Sequence, residues 1–132
     1  MNKSMASKIS TSLIISTYNR SDALELCVKS VLRQSLLPDE IIIADDGSKE
    51  ETGELIHQLA TTSVVPIIHV WHEDLGFRLA TIRNKAIVKA TKEYIIQIDG
   101  DIVLHKDFVK DHVRFAQKGS NTCYNQIKCI HL

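Results

Sequence analysis

Asp39-Glu40-Ile41-Ile42-Ile43-Ala44-Asp45-Asp46-Gly47-Ser48 holds four apolar residues in an unbroken row between an acidic pair and a polar turn. A strand with one wet face would alternate apolar and polar residues. A continuous β-branched run marks a strand covered on both faces, as in a parallel sheet. The run stops at Asp45-Asp46-Gly47-Ser48, a turn composition. Glu51 stands three residues after Ser48, the capping-box offset, and Leu55, Ile56 and Leu59 follow at helical spacing, so Ser48 is expected to cap a helix. Upstream, Asp22 and Glu25 form a similar pair. Ala23, Leu24, Cys27, Val28, Val31 and Leu32 then keep helical spacing to about Gln34, and Pro38 closes the connection. Before that helix, Leu13 to Ser16 reads as a buried strand running into the polar loop Thr17-Tyr18-Asn19-Arg20.

Downstream the alternation repeats. Pro66 to Trp71 reads as a third strand, and His72-Glu73-Asp74-Leu75-Gly76 as a polar loop. A helix over roughly Arg78 to Ala90 is expected to bury Leu79, Ile82, Ala86, Ile87 and Ala90. A fourth strand, Tyr94 to Ile98, ends in Asp99-Gly100-Asp101, and Asp107 to Gln117 is amphipathic around Phe108, Val109, His112, Val113 and Phe115. Strand and helix alternate four times, which predicts an α/β domain with a mainly parallel sheet flanked by helices. From Gly119 no period is visible, so 119–132 is read as an irregular tail and no fifth strand is expected.

A chain of 132 residues buries roughly two-thirds of its unfolded surface and needs no disulfide or structural metal to fold. Its 16 basic and 16 acidic side chains balance to zero formal charge, which argues against nucleic acid or an anionic membrane as partner. Three cysteines, with no CxxC pair, read as reduced thiols of a cytoplasmic protein, Cys27 within the core. Leu13-Ile14-Ile15 is too short for the apolar part of a signal peptide. No apolar stretch approaches the roughly 18 residues of a membrane span, which leaves at most peripheral contact with the inner membrane.

In open parallel sheets, ligands gather beyond the carboxyl ends of the strands. Three strand ends carry unusual polar clusters: Thr17-Tyr18-Asn19, Asp45-Asp46-Gly47-Ser48 and Asp99-Gly100-Asp101. Residues two apart in an extended strand end point the same way, so Asp99 and Asp101 are placed to share a cation, and Gly100 to let a ligand approach the backbone. Paired carboxylates are hard ligands that suit Mg²⁺ or Mn²⁺, with phosphate oxygens completing the shell. The plain alternative is an Asp-Gly turn opening a helix. Asp46 occupies the place where nucleotide-binding sheets often put an acid that accepts from a ribose or base, and a carboxylate selects a base bearing an N–H. Arg78 follows Gly76 at a loop–helix junction suited to a diphosphate, whereas Arg83 and Lys85 read as solvated. His69-x-x-His72-Glu73 straddles a strand end, which disfavours a zinc site. No GxSxG, GxxxxGK[ST] or GxGxxG occurs.

Leu13 to Arg20, Ser30 to Ser35 and Asp39 to Ser48, in this order and spacing, resemble the opening of family 2 glycosyltransferases with the GT-A (Rossmann-like) fold. Gly76-Phe77-Arg78-Leu79-Ala80-Thr81-Ile82-Arg83-Asn84 and Asp99-Gly100-Asp101, a DXD motif, resemble the subset that includes bacterial chondroitin polymerases and related galactosyltransferases. The likeness covers roughly residues 10 to 118. It implies an inverting hexosyltransferase that uses a nucleotide-diphosphate sugar, with UDP-sugar the implied donor, in polysaccharide or glycoconjugate synthesis. By that likeness Ser16, Thr17 and Tyr18 pack on the nucleoside, Asp46 accepts from uracil, Arg78 lies near the nucleotide, Asp99 faces the ribose or the metal, and Asp101 binds Mn²⁺ or Mg²⁺.

The acceptor hydroxyl needs a general base, which the resemblance places in a half beyond residue 118. Residues 1–118 are thus expected to form the nucleotide-sugar-binding domain, with the carbohydrate-acceptor half missing after it. A chain so divided is expected to bind nucleotide weakly, to transfer sugar poorly or not at all, and to dimerise through faces the other half would cover. Two other classes stay open. A receiver-like signalling module shares the architecture but wants its acidic pair after the first strand, where Thr17-Tyr18-Asn19 stand here. A degenerate structural domain is disfavoured by the presence of Asp46, Arg78 and Asp101.

Overall fold

A computed structural model describes residues 8–117 and 129–131. Its elements run β1 (Thr11–Thr17), α1 (Ser21–Leu32), β2 (Glu40–Asp45), α2 (Glu50–Thr62), β3 (Ile67–Trp71), α3 (Leu79–Lys89), β4 (Tyr94–Asp99), β5 (Ile102–Leu104), α4 (Phe108–Gln117) and β6 (Cys129–His131). The first four strands form one parallel sheet in the order β3-β2-β1-β4. The chain steps outward from β1 to β3, then returns to lay β4 on the other side of β1. That reversal separates the crossovers onto opposite faces and opens a crevice above the ends of β1 and β4.

The unalternated run of β2 has the expected cause. Ile41 and Ile43 pack with Leu13 and Ile15 beneath α1, α2 and α4, in a cluster that includes Leu24, Cys27, Ile56, Phe108 and Val113. Ile42 and Ala44 turn the other way with Ile14, against Ile82 and Ala86 of α3. Period-two alternation within each strand thus feeds two separate cores. α3 buries less than its sequence suggests: Ile87 is exposed, because only the face carrying Ile82 and Ala86 meets the sheet.

Three local expectations need correction. The first residue before α1 is Arg20, without a side-chain cap; Asp22 lies inside the first turn and pairs with Arg20 Nε at 3.1 Å. Ser48 does not cap α2. The residue preceding that helix is Lys49, whose N–H donates to Asn19 Oδ1 at 2.8 Å, while the Ser48 hydroxyl accepts the Asn19 N–H at 2.8 Å. Asn19 thus accepts the N–H of the residue preceding α2, with its own backbone in the left-handed region at φ 48°. Cys129–His131 lies within the stretch read as an irregular tail, yet pairs antiparallel with β5, Leu104 opposite Cys129 and Ile102 opposite His131. Three-residue strands are too short to show a period. The rest of that tail, Cys123 included, lies outside the described residues.

Glu40 ties the base of the sheet together. Its buried carboxylate accepts from the Ser12 hydroxyl at 2.6 Å, the Thr91 N–H at 2.9 Å and the Thr91 hydroxyl at 3.0 Å. Burial pushes its pKa up, but these donors, with the charge of Lys92, outweigh burial and hold it below the ordinary value of 4.5. A lowered folded-state pKa stabilises the fold above the unfolded value, and the contribution is lost as pH falls through the folded value. Glu40→Gln is therefore expected to cost about 2 kcal/mol at pH 7. Urea midpoints of the two proteins should draw together as pH is lowered from 5 towards 3. A gap that stays constant over that range would show that ionisation of Glu40 is not the source.

Candidate active site

Register brings the polar strand ends to one level. Across β1 and β2, Thr17 pairs with Asp45; across β1 and β4, Ser16 pairs with Asp99. Above them opens a cleft of about 430 Å³. Ser16, Thr17 and Tyr18 line it from β1, Asp46 from the end of β2, and Asp99 and Asp101 from the end of β4 and the turn after it. Three sequence clusters on separate strands thus share one cavity.

Asp46 is 3% exposed and closely held. Oδ1 accepts from His72 Nε2 at 2.6 Å and Oδ2 from the Arg78 N–H at 2.9 Å, while its own N–H donates to Thr17 O at 3.0 Å. Beside it, Asp45 accepts the Ser48 N–H at 2.9 Å and faces His69 Nε2 at 2.8 Å. The two histidines read as a weak zinc motif each serve one of the paired aspartates instead. Arg78 sits near the site but meets Asp46 through its backbone; its guanidinium turns back to the Glu73 carbonyl at 2.9 Å, and it is not among the cleft-lining residues.

Asp99 Oδ1 accepts from the Ser16 hydroxyl at 3.1 Å and from Arg83 Nη2 at 2.8 Å. Arg83, expected to be solvated, is thus an ion-pair partner at the rim, and Lys85 lies against His72. β4 ends at Asp99, so Gly100 and Asp101 form a turn into β5 rather than an extended strand. Gly100 serves the protein's own backbone. Its N–H donates to Ser16 O at 2.7 Å, and a Cβ there would stand 2.7 Å from the same oxygen. Asp101 accepts no hydrogen bond among the described residues and faces the cleft with Arg20 nearby.

The loop between β3 and α3 forms the outer wall. Tyr18 donates its phenolic hydrogen to Asp74 Oδ2 at 2.7 Å, and Asp74 also accepts the Gly76 N–H at 3.1 Å. The hydrogen bond to Asp74 and its charge hold the Tyr18 pKa above the usual value, and the same bond holds Asp74 below the carboxylate value. Gly76 has φ 92° with nothing within 4 Å of a built Cβ, so its glycine answers a conformational need rather than a close approach. Phe77, 87% exposed, stands at the mouth. Arg20, Asp74, Phe77, Arg83 and His72 were not singled out as site residues from sequence. Only Arg20, directly after Tyr18-Asn19, carried a positional signal.

Four carboxylates, those of Asp46, Asp74, Asp99 and Asp101, and one guanidinium, that of Arg20, line the cleft. A diphosphate entering such a site is repelled unless a cation accompanies it. Among the described residues no group of three or more His, Cys, Asp or Glu side chains is placed to hold a metal alone. The donor set fits an ion taken up together with phosphate oxygens, which is how Mg²⁺-type sites with one or two carboxylates are completed.

A parallel β3-β2-β1-β4 sheet flanked by helices, with a cleft at its switch point, is the α/β architecture of GT-A glycosyltransferases. The chain belongs to glycosyl transferase family 2, whose family model matches residues 12–130. It is 30% identical over 111 residues to a chondroitin synthase of Escherichia coli, covering 83% of this chain and 16% of that protein. Among solved structures it superposes on S. aureus TarS 1–349 in complex with UDP-GlcNAc, with a TM-score of 0.68 and 22% identity, over 83% of this chain and 32% of that one. It also superposes on the mannosyltransferase PcManGT from Pyrobaculum calidifontis in complex with GDP-Man and Mn²⁺, with a TM-score of 0.72 and 23% identity, over 81% of this chain and 32% of that one. The receiver-like alternative is set aside by the family match.

Proposed function

We propose that the cleft is the donor site of an inverting hexosyltransferase that takes its sugar from a UDP-sugar, in the synthesis of a polysaccharide or glycoconjugate. The observation that carries this reading is the convergence of Asp46 from the end of β2 with Asp99 and Asp101 from the end of β4, beside Ser16 to Tyr18 at the end of β1, on one acidic cleft at the switch point. Ser16, Thr17 and Tyr18 support the nucleoside, and Asp46 accepts from the base. The free oxygen of Asp99 serves the ribose or the metal, and Asp101 holds Mn²⁺ or Mg²⁺ with the diphosphate. When bound, the ion supplies positive charge that stabilises the departing nucleoside diphosphate. Arg78 contributes by fixing Asp46 through its N–H. Asp46, Asp99 and Asp101 all belong to the donor, so the base for the carbohydrate acceptor is not assigned to them. UDP and UDP-GlcNAc bound in structural neighbours favour the UDP-sugar assignment. No described helix is long and apolar enough to cross a membrane, and a peripheral position at the inner face suits a donor drawn from the cytoplasm.

Calorimetric titration of UDP with Mn²⁺, and again with EDTA, tests the proposal. Binding is expected only with the metal. In Asp101→Ala, UDP affinity should fall by about 100-fold, the upper end of the loss from a group that supports a metal site, while stability stays within about 0.5 kcal/mol, as for other surface changes. If millimolar UDP, GDP and dTDP are all silent, the donor-site reading fails.

A further inference from the structure

His72 is 7% exposed and engaged at both ring nitrogens. Nε2 lies 2.6 Å from Asp46 Oδ1, and Nδ1 lies 3.1 Å from Lys85 Nζ. A lysine ammonium can only donate, so Nδ1 is the acceptor and the ring proton sits on Nε2, aimed at Asp46. The Lys85 ammonium, a neutral His72 and the Asp46 carboxylate therefore form a directed chain. Neither His72 nor Lys85 lines the cleft, whereas Asp46 does. The protein uses one lone pair on each Asp46 oxygen, for His72 and for the Arg78 N–H. A carboxylate has about four such sites, so acceptor capacity remains for a ligand.

We propose that Lys85, acting through His72, holds the Asp46 carboxylate as a fixed acceptor and thereby selects bases with a ring N–H, such as uracil, over bases with a bare ring nitrogen, such as cytosine. This rests on the reading of the cleft as a nucleotide site. An acceptor-only carboxylate meets the N–H at position 3 of uracil as a donor. At the same position cytosine presents a lone pair, and two acceptors repel. Were the proton free to leave Nε2 or the carboxylate free to turn, that distinction would blur. His72 and Lys85 are positioning residues, since neither reaches the ligand.

The test titrates UDP and CDP, both with Mn²⁺, into the wild type, Lys85→Met, His72→Ala and His72→Gln, and records ¹⁵N spectra of the histidine side chains without ligand. In the wild type, His72 should show a proton on Nε2 and UDP should bind more tightly than CDP. Lys85→Met changes an exposed side chain and leaves the fold intact. It should release the tautomer and lower the UDP-over-CDP preference about tenfold, the scale of one charge-assisted hydrogen bond. His72→Ala should do the same, and His72→Gln, which keeps an N–H near the position of Nε2, should restore the preference. The relay is overturned if Lys85→Met and His72→Ala weaken UDP and CDP by equal factors, or if wild-type His72 carries its proton on Nδ1. A wild type that binds neither nucleotide removes the proposed function and the selectivity together. Binding with unchanged preference in every variant removes the relay alone.

Discussion

Gly47→Ala is expected to cost about 3 kcal/mol of stability, from backbone strain and overpacking acting at one position. Gly47 has φ 93°, a conformation that an L side chain rarely adopts, and a Cβ there would stand 2.6 Å from Asp74 Cα. The obstacle is backbone, which cannot rotate aside as a side-chain tip can. The turn after β2 and the loop after β3 touch here, so relief requires moving the wall that Tyr18 and Asp74 hold closed. Urea denaturation should give the full loss, or a smaller loss accompanied by weaker UDP binding if the loop shifts instead. Two other glycines calibrate the result. Gly76→Ala, in open space at φ 92°, should cost only about 1 kcal/mol, the conformational part. Gly53→Ala lies inside α2, with nothing nearer a built Cβ than His69 Cε1 at 3.9 Å, and should stabilise by about 0.5–1 kcal/mol. A Gly47→Ala protein as stable as the wild type, with UDP affinity intact, would mean that the loop does not rest on that turn.

Asp46→Ala is expected to be nearly as damaging, for a different reason. The carboxylate satisfies His72 and the Arg78 N–H at once, and its removal leaves a buried imidazole and a backbone donor without their acceptor. Each buried donor left unsatisfied costs about 1–3 kcal/mol, and the two together are expected to cost about 2–3 kcal/mol. Nucleotide binding should vanish together with that stability, in contrast to Asp101→Ala, which is expected to lose binding alone. Guanidinium unfolding of both variants, set beside their UDP titrations, separates an aspartate that builds the site from one that only serves it. Equal stability of Asp46→Ala and wild type would show that the His72 contact contributes nothing to folding.

The same division separates features that a local sequence pattern announces from those that only tertiary packing creates. Ile41-Ile42-Ile43-Ala44 announces a strand buried on both faces because each neighbour in the run feeds a different core, and the two clusters bear this out. The three polar strand ends were legible as one site because parallel strands share a direction, so their carboxyl ends fall on one side. The partners of those ends were not legible. His72 and Lys85 reach Asp46 from 26 and 39 residues away, and Arg83 meets Asp99 across 16. Such distances leave no local pattern, since they depend on how α3 lies over the sheet. Ser48 misled for a related reason: the capping spacing is present, but the Ser48 hydroxyl is taken by the N–H of Asn19, brought alongside by the β1–β2 register. β5 and β6, three residues each, are shorter than any period that could announce them.

The two cores differ in size, and the difference falls across the cleft. Beneath α1, α2 and α4 lies a broad apolar layer continuous with β5, whereas α3 rests through Ile82 and Ala86 on Ile14, Ile42 and Ala44, with partly buried neighbours around them. Local opening follows the thinner packing. α3 is therefore expected to unlatch from the sheet without melting it, carrying Arg83 and Lys85 with it, while Ser16, Asp46 and Asp99 stay at strand ends anchored by the thicker layer. Amide hydrogen exchange along this chain is accordingly expected to have two tempos, slow through β1 and β2 and fast through α3, setting a breathing helix beside a standing cleft floor.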